Sequence, residues 1–307
     1  MISPCCRILV VCLGIATLAA PRGHCMPEGP RGASTGDGTT PGQTLAAWPE
    51  GQQFTGAATT RVTIEVPPGR NGMQPNLALV YSSQAGSGPY GSGWDLPVGR
   101  IERSRRQGVP RFGLGEVFTL ALPEGGAELV QLPDGTYAAR IDDGRARIVA
   151  NATANTWTLN DRSGRTYTFG ATAAARVGPA PGIFGSTFAW HLTQVRDRKG
   201  NTVEIEYEQT GGGHAYLKKI GYGGNVALGL GHVYEVTFAY EPRPAAARRV
   251  SYGAGFREEV ERNLEALTVR RASGETVRTY DLVWAASTTN AAPLLAEVKL
   301  LGSDGSP

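Results

Sequence analysis

Cysteine is missing from most of this chain. All four cysteines of the 307 residues lie in the first 25 positions, as Cys5, Cys6, Cys12 and Cys25. The body that follows therefore has no disulfide framework, no thiolate metal site and no cysteine nucleophile. We expect its folded state to depend on a hydrophobic core and on hydrogen bonds between strands.

Strong charge and long apolar runs are also absent. The formal net charge of +3 is too small to indicate a nucleic-acid partner by itself. The apolar run from Ile8 to Ala20 follows Arg7 and is shorter than the roughly 20 residues of a membrane-spanning helix. It predicts a signal peptide over residues 1–25 and a secreted protein. Lipidation at Cys25 and an uncleaved anchor remain as alternatives, and no later segment is apolar enough to span a membrane.

Helical periodicity is scarce, whereas turn residues are abundant, with 42 glycines and 20 prolines. Residues 26–50 are rich in Gly, Pro, Ser and Thr without a sustained period, which predicts a flexible linker. The pattern changes at Thr59. The segment RVTIEV alternates, with Val62, Ile64 and Val66 on one face, as in a half-buried strand.

Further alternating segments follow at a spacing of roughly 10 residues, separated by turn signals such as Pro133-Asp134-Gly135. This pattern predicts an all-β fold of many short, mostly antiparallel strands. The segments TWTLNDRSGRTYTFG and AWHLTQVRDRKGNTVEIEY share an aromatic residue, a leucine and a D-R-x-G turn, which predicts a repeated strand–turn–strand unit. Residues Phe256–Ala266 are the one candidate for a helix.

A glycine-rich stretch, GSGPYGSGW, follows the apolar run NLALVYSS and matches G-x-G-x-x-G at Gly86, Gly88 and Gly91. A dinucleotide-binding loop needs a helix directly after its glycines, because the helix N-terminus holds the pyrophosphate. The residues that follow, SGWDLP, leave no room for such a helix. The stretch is therefore predicted to be a loop that returns the chain and places Trp94 and Leu96 in a core.

The segment VTIEVPPGRNGMQPNLALVYSSQAGSGPYGSGWDLP resembles the opening of the SpvB-type family. That family includes virulence-plasmid B proteins and the B component of insecticidal Tc toxins, and it is related to RHS repeats. The spacing PPGRxGxxPxLxLxYxS followed by GxGWxL is specific over about 30 residues. Its motif positions here are Pro67, Pro68, Gly69, Arg70, Gly72, Pro75, Leu77, Leu79, Tyr81, Ser83, Gly91, Gly93, Trp94 and Leu96.

The resemblance implies an N-terminal β-module over residues 51–307, truncated relative to the family and forming an incomplete shell. The motif residues would then be architectural, with Pro67, Pro68 and Gly69 breaking a strand and redirecting the chain. The implied partners are downstream RHS or toxin-complex strands, or a companion toxin subunit.

Some members of the family carry an ADP-ribosyltransferase domain. The arginine, Ser-Thr-Ser and Glu-x-Glu of that chemistry have counterparts, in order, at Arg176, Ser186-Thr187-Phe188 and Glu204-Ile205-Glu206. Phe188 departs from the serine box. Because Val203, Ile205 and Tyr207 alternate with the two glutamates, the pattern predicts that the glutamates form the solvent face of a strand.

The histidines and arginines give little indication of a metal-binding or ligand-binding site. His191, His214 and His232 lack metal-ligand spacing, so no metal or cofactor is predicted. His191 is interpreted as an ordinary strand residue and His214 as part of a mobile loop after three glycines. The arginines of RIERSRRQGVPR, residues 100–111, are interpreted as a solvated strand edge, with binding to an anionic surface or partner as the alternative.

The sequence therefore favours a secreted, non-enzymatic structural module of a toxin or virulence factor that contributes strands to a cargo-enclosing shell. A surface- or glycan-binding β-module is the alternative, and a hydrolase with a converging carboxylate pair is the third possibility. A shell module should expose strand edges, a binding module should show exposed aromatic rings in a groove, and an enzyme should show polar side chains converging in a pocket.

Overall fold

The computed structural model describes residues 56–113, 115–141 and 146–306, together with the backbone of Arg7–Leu9 and Glu50–Gly51. The predicted signal peptide and linker otherwise lie outside the described residues, and both stay predictions. Among the residues described, no helix has the length and apolar character needed to cross a bilayer.

The protein is built of short β-strands, as predicted, and adjacent strands pair in the antiparallel sense. The strands up to the middle of the chain are β1 (Arg7–Leu9), β2 (Glu50–Gly51), β3 (Ala58–Ile64), β4 (Leu77–Ser82), β5 (Ser87–Gly88), β6 (Gly91–Ser92), β7 (Trp94–Asp95), β8 (Arg100–Arg103), β9 (Phe118–Leu122), β10 (Gly125–Gln131), β11 (Tyr137–Ala139), β12 (Ala146–Asn151), β13 (Thr156–Asp161) and β14 (Thr166–Phe169).

The remaining strands are β15 (Arg176–Val177), β16 (Ala189–Arg196), β17 (Asn201–Gln209), β18 (Ala215–Asn225), β19 (Tyr234–Pro242), β20 (Arg249–Ser251), β21 (Glu258–Val260), β22 (Arg262–Arg271), β23 (Thr276–Ala286) and β24 (Pro293–Leu301). Single 3-10 turns lie at Arg70–Gly72, Ala173–Ala175, Phe184–Ser186, Val226–Leu228 and Ala245–Ala247. Residues Phe256–Ala266, the one candidate for a helix, form no helix, because that segment contains β21 and the start of β22.

The main sheet branches at β16. The C-terminal half of β16 pairs with β14 and β17, whereas Ala189–His191 pair with β8. Because β8 also pairs with β9, strands β8 to β14 and β16 form a closed ring of hydrogen-bonded strands. A second arm runs outward from β16 through β17, β18, β19, β22, β23 and β24, and β24 also pairs with β1.

This closure corrects the interpretation of the arginine-rich stretch as a solvated strand edge. Strand β8 has partners on both sides, and Arg103 within it is buried. The Arg103 guanidinium donates a 2.8 Å hydrogen bond from Nε to the carbonyl of Thr187 and forms an ion pair with Glu116. A buried charge is tolerated when it is paired and hydrogen-bonded, which is the arrangement found here.

The predicted repeat is confirmed as two hairpins with the same turn. In the β13–β14 hairpin, Gly164 N donates to Asp161 O and Asp161 Oδ1 accepts a 2.9 Å bond from the backbone of Arg165. In the β16–β17 hairpin, Gly200 N donates to Asp197 O and Asp197 Oδ1 accepts a 2.9 Å bond from Asn201. The aspartate caps the turn in each copy, so the D-R-x-G signal fixes the register of both strand pairs.

Alternation along the strands builds the core. On β17, Val203, Ile205 and Tyr207 are buried, while Glu206 between them is exposed. The closed ring encloses a cluster of aromatic rings in which Trp157 and Trp190 are fully buried with centroids 5.7 Å apart. A small sheet, in the order β2-β3-β4-β7, carries the family motif and lies beside the second arm.

Candidate functional site

The Pro67-to-Arg70 segment ties the small sheet to the second arm. Strand β3 ends before it, and the chain turns back into β4 with Ile64 opposite Leu77. Arg70 Nε donates a 2.8 Å hydrogen bond to the carbonyl of Gly223, and the hydroxyl of Tyr222 donates a 3.1 Å bond to the carbonyl of Pro67. Both partners lie on β18, far away in sequence.

The rest of this turn is more exposed. Gly69 and Pro75 flank a 3-10 turn that ends at Gly72 and in which Asn71 has a positive φ of 53°. Asn71 Nδ2 donates a 3.3 Å hydrogen bond to Asp197, the aspartate that caps the second repeated hairpin. The turn therefore contacts the main sheet at two points.

The second half of the motif forms a buried corner. Strands β4 and β7 place Tyr81 opposite Trp94, with ring centroids 5.3 Å apart. Trp94 is 2% exposed and Leu96 is 4% exposed, so both residues lie in the core. Gly91 contacts the ring of Trp284 on the second arm, where a Cβ would lie 2.6 Å from a ring carbon. No helix follows these glycines; strand β7 does.

A cavity of about 410 Å³ lies between the glycine-rich loop and the main sheet. Its apolar lining includes Tyr90, Trp94, Phe188 and Tyr207. Ionisable side chains from four separate parts of the chain also line it, and they are Asp95, Arg100, Glu102, Arg105, His191, His214 and Glu258. We refer to this space as the loop cavity.

Arginines and carboxylates form one connected group in the loop cavity. Arg100 Nε donates a 2.8 Å hydrogen bond to Glu102, and Arg100 Nη1 lies 4.0 Å from Asp95. Arg105 approaches the other oxygen of Glu102 at 3.5 Å. Burial opposes the charge of Arg100, but Glu102 and Asp95 outweigh it and raise the pKa of the guanidinium.

Two histidines stand on the other side of the cavity. Burial, followed by the charges of Arg100 and His214, lowers the pKa of His191 from 6.5 to about 3. This imidazole is therefore neutral at physiological pH. His214 Nδ1 lies 2.7 Å from Glu258, and although burial opposes it, this contact keeps the pKa of Glu258 below its usual value. His214 is thus held against β21, which corrects its interpretation as part of a mobile loop.

The residues of the transferase-like pattern are not gathered into one centre. Arg176 lies on β15, where its carbonyl accepts a 2.7 Å hydrogen bond from Gln209. Glu204 lies near the opposite end of β17, within 3.3 Å of Gln194 and 3.7 Å of His232. Thr187 is buried and bonds to Asn155. In the described residues, no three His, Cys, Asp or Glu side chains form a metal-binding group.

Sequence reasoning missed the loop cavity because its polar residues come from β7, from β8 and the segment after it, from β16, and from the segments around β18 and β21. None of these segments carries a recognisable spacing alone. One local feature points to the polar group: Arg100 and Glu102 are two residues apart in RIER, residues 100–103, and therefore lie on the same face of a strand.

Comparisons with known proteins agree on one family. The sequence model of the family described as Salmonella virulence plasmid 65kDa B protein, SpvB, matches residues 52–219. The mono(ADP-ribosyl)transferase SpvB of Salmonella choleraesuis is 28% identical over 203 residues, covering 53% of this chain and 34% of that protein. The corresponding Salmonella typhimurium protein is 27% identical over the same length. The chain thus spans about a third of the curated relatives it matches.

Solved structures share the fold. The N-terminal domain of effector protein SpvB from Salmonella typhimurium strain LT2 superposes with a TM-score of 0.65 at 22% identity, covering 78% of this chain and 98% of that domain. A TcdB2-TccC3 crystal structure gives a TM-score of 0.67 at 19% identity, covering 84% of this chain and 15% of the other. The Photorhabdus luminescens Tc holotoxin pore gives 0.67 at 19%, covering 87% and 15%.

Proposed function

Because the chain belongs to the SpvB family, we propose that it is a secreted, non-enzymatic structural module of a bacterial toxin or virulence factor. In this role its strands form part of a shell that encloses a cargo, together with a companion toxin subunit or further RHS-type strands. The observation that carries the proposal is the branched sheet, whose fold matches nearly the whole SpvB N-terminal domain and a small part of much longer Tc-toxin chains.

The motif residues support an architectural role within that module. Arg70 and Pro67 bond to β18, which holds the small sheet against the second arm. Gly91 of β6, in the glycine-rich loop, packs against Trp284 of β23 on the same arm. A curved wall needs contacts of this kind, because a single sheet layer leaves one of its faces without a hydrophobic partner. The motif therefore serves packing, and we assign it no chemistry.

The absence of transferase activity is a separate part of the proposal. The relatives named mono(ADP-ribosyl)transferase are about three times longer than the segment they share with this chain. Purified chain should therefore transfer no ADP-ribose from labelled NAD to the proteins of a host-cell extract. Transfer that is lost in Glu204→Gln and Glu206→Gln variants would contradict the proposal.

Export and enclosure can be tested in the producing bacterium. Mass spectrometry of the culture medium should recover the chain with a new N-terminus between about Ala19 and Cys25. The chain should co-purify with a toxin component encoded nearby, and a cargo polypeptide in that complex should resist added protease until the complex is denatured. Intact Met1 in cytoplasmic protein, or a cargo digested as fast as free polypeptide, would overturn the proposal.

A further inference from the structure

The loop cavity contains a polar group that the protein leaves without a hydrogen bond. His191 stacks against Tyr207 at 5.1 Å between centroids, but within the described chain no donor or acceptor bonds to its imidazole nitrogens. A neutral imidazole has one donor and one acceptor. His191 is half-buried and lines the cavity, so its two nitrogens are available to a water molecule or a ligand there.

Charge in the cavity wall is mixed. The guanidinium groups of Arg100 and Arg105 share this wall with the carboxylates of Asp95, Glu102 and Glu258. These groups contact polar neighbours in the wall itself, as in Arg100–Glu102 and His214–Glu258. A wall whose charges of both signs are already engaged with one another has little preference for an anion or a cation. The wall therefore selects a ligand that is polar but uncharged.

The cavity also has the shape and lining of a small-molecule site. Its volume of about 410 Å³ falls in the range of roughly 300–1,000 Å³ that is usual for such sites. Aromatic rings of Tyr90, Phe188 and Tyr207 line it beside the polar groups. A ligand with apolar C–H faces and several hydroxyl groups would pack against the aromatic rings and bond to the polar side chains, since a hydroxyl both donates and accepts hydrogen bonds.

From this combination we propose that the loop cavity binds a neutral saccharide of one or two rings. His191 bonds to one hydroxyl, Arg100 and Glu258 bond to others, and Arg105 stands at the rim, where its side chain is about half exposed. This inference depends on the cavity alone, so its test is independent of the shell proposal.

Saturation-transfer NMR and calorimetry with the full-length chain test the idea directly. The probes are neutral hexoses and N-acetylhexosamines, each as the free sugar and as the methyl glycoside. Sialic acid, inorganic phosphate and choline serve as charged probes. Binding of the methyl glycosides would identify the end of a glycan chain as the ligand, whereas binding of free sugars alone would identify a diffusible sugar.

We expect saturable binding of at least one neutral probe at millimolar concentration or below. His191→Ala should weaken it by about tenfold, the effect of losing two ordinary hydrogen bonds. His232→Ala is the matched control, because His232 lies outside the cavity, in the loop before β19 beside Glu204, and this variant should bind normally. Arg105→Ala changes a half-exposed residue at the rim, and it should weaken binding by about threefold.

Three results would overturn the proposal. The first is the absence of saturable binding for every neutral probe. The second is tighter binding of sialic acid, phosphate or choline, which would indicate an ion site. The third is a neutral probe whose affinity is unchanged in both Arg105→Ala and folded His191→Ala protein, or is reduced by His232→Ala as much as by His191→Ala. In either case the sugar would bind outside the loop cavity. Circular dichroism of each variant verifies its fold.

Discussion

Trp190 Nε1 donates a 2.7 Å hydrogen bond to the side-chain oxygen of Asn155 in the centre of the closed ring. The amide nitrogen of Asn155 in turn donates to the carbonyl of Pro181 at 2.9 Å and to Thr187 Oγ1 at 3.0 Å. Asn155 is 2% exposed and has a positive φ of 54°. One asparagine thus satisfies the buried indole and also joins the β12–β13 turn to the segment before β16.

Asn155→Ala should therefore destabilise the protein by about 3 kcal/mol, because it leaves the Trp190 N–H, the Pro181 carbonyl and Thr187 without this partner. Asn155→Gly should cost somewhat less, since glycine tolerates the positive φ. Chemical denaturation measures both values, with exposed Asn160→Ala as the control. Equal stability of Asn155→Ala and Asn160→Ala would show that the network contributes nothing.

Trp94→Ala should cost about 3–5 kcal/mol, the usual range for a large aromatic side chain removed from a core. Trp94→Phe should cost roughly half of that or less. Trp94 Nε1 is buried without a hydrogen-bond partner in the described protein, so replacing the indole removes an unsatisfied donor while keeping a ring against Tyr81. Thermal unfolding compares the two, and a larger loss in Trp94→Phe would contradict this account.

Replacing the glycines of GSGPYGSGW by alanine should affect stability strongly at some positions and hardly at others. Gly93 has a φ of +81°, and a Cβ there would lie 2.4 Å from the ring of Tyr81, so Gly93→Ala should destabilise the protein by about 2 kcal/mol or more. Gly86 has open space around its Cα, and Gly86→Ala should change stability by less than about 0.5 kcal/mol. The two alanine variants are matched in composition. Similar melting temperatures would refute the packing argument.

These residues show where the sequence was sufficient. Local signals predicted the repeated hairpins, because Asp161 and Asp197 cap their turns with contacts inside a few residues. The burial of Trp94 followed from the chain returning on itself over the same short range. The candidate helix near Phe256 does not form, because pairing of β22 with β19 and β23 outweighs a weak local preference.

The pairing of strands that are distant in the chain could not be predicted from the sequence. Closure of the ring depends on β8 meeting β16, and no feature of the RIER segment specifies that partner. The burial of Arg103 depends on the same closure, since Thr187 O and Glu116 reach it only in the folded ring. The loop cavity arises from the same cause, because Arg100 and His191 become neighbours when these two strands pair.

Stability should fall in acid partly because of His191. Its pKa of about 3 in the folded protein lies below 6.5 in the unfolded chain, so the unfolded chain binds the additional proton between these values. The contribution is complete above pH 6.5 and is lost as the pH falls toward 3. His191→Gln should therefore lose less unfolding free energy than the native protein as the pH falls through this window. Parallel curves for His191→Gln and native protein would contradict the prediction.

The outer edge of the second arm gives the last prediction. Strand β24 pairs with β23 along its whole length, but on its other side the described pairing is with Arg7–Leu9 over three residues, Glu297–Lys299. Those residues of β1 lie within the predicted signal peptide, so cleavage would remove them. An uncovered edge presents backbone donors and acceptors to any other chain.

Protein beginning at residue 26 should therefore self-associate more strongly than the full chain, with unchanged β content by circular dichroism. Light scattering over a concentration series measures the association. Leu294→Lys places a charge on this edge strand and should reduce it, since charged side chains oppose edge-to-edge pairing. If the protein is strictly monomeric at every concentration, the free edge of β24 does not pair with other chains. That result would favour a self-contained binding module over a shell segment whose sheet is extended by strands of another chain.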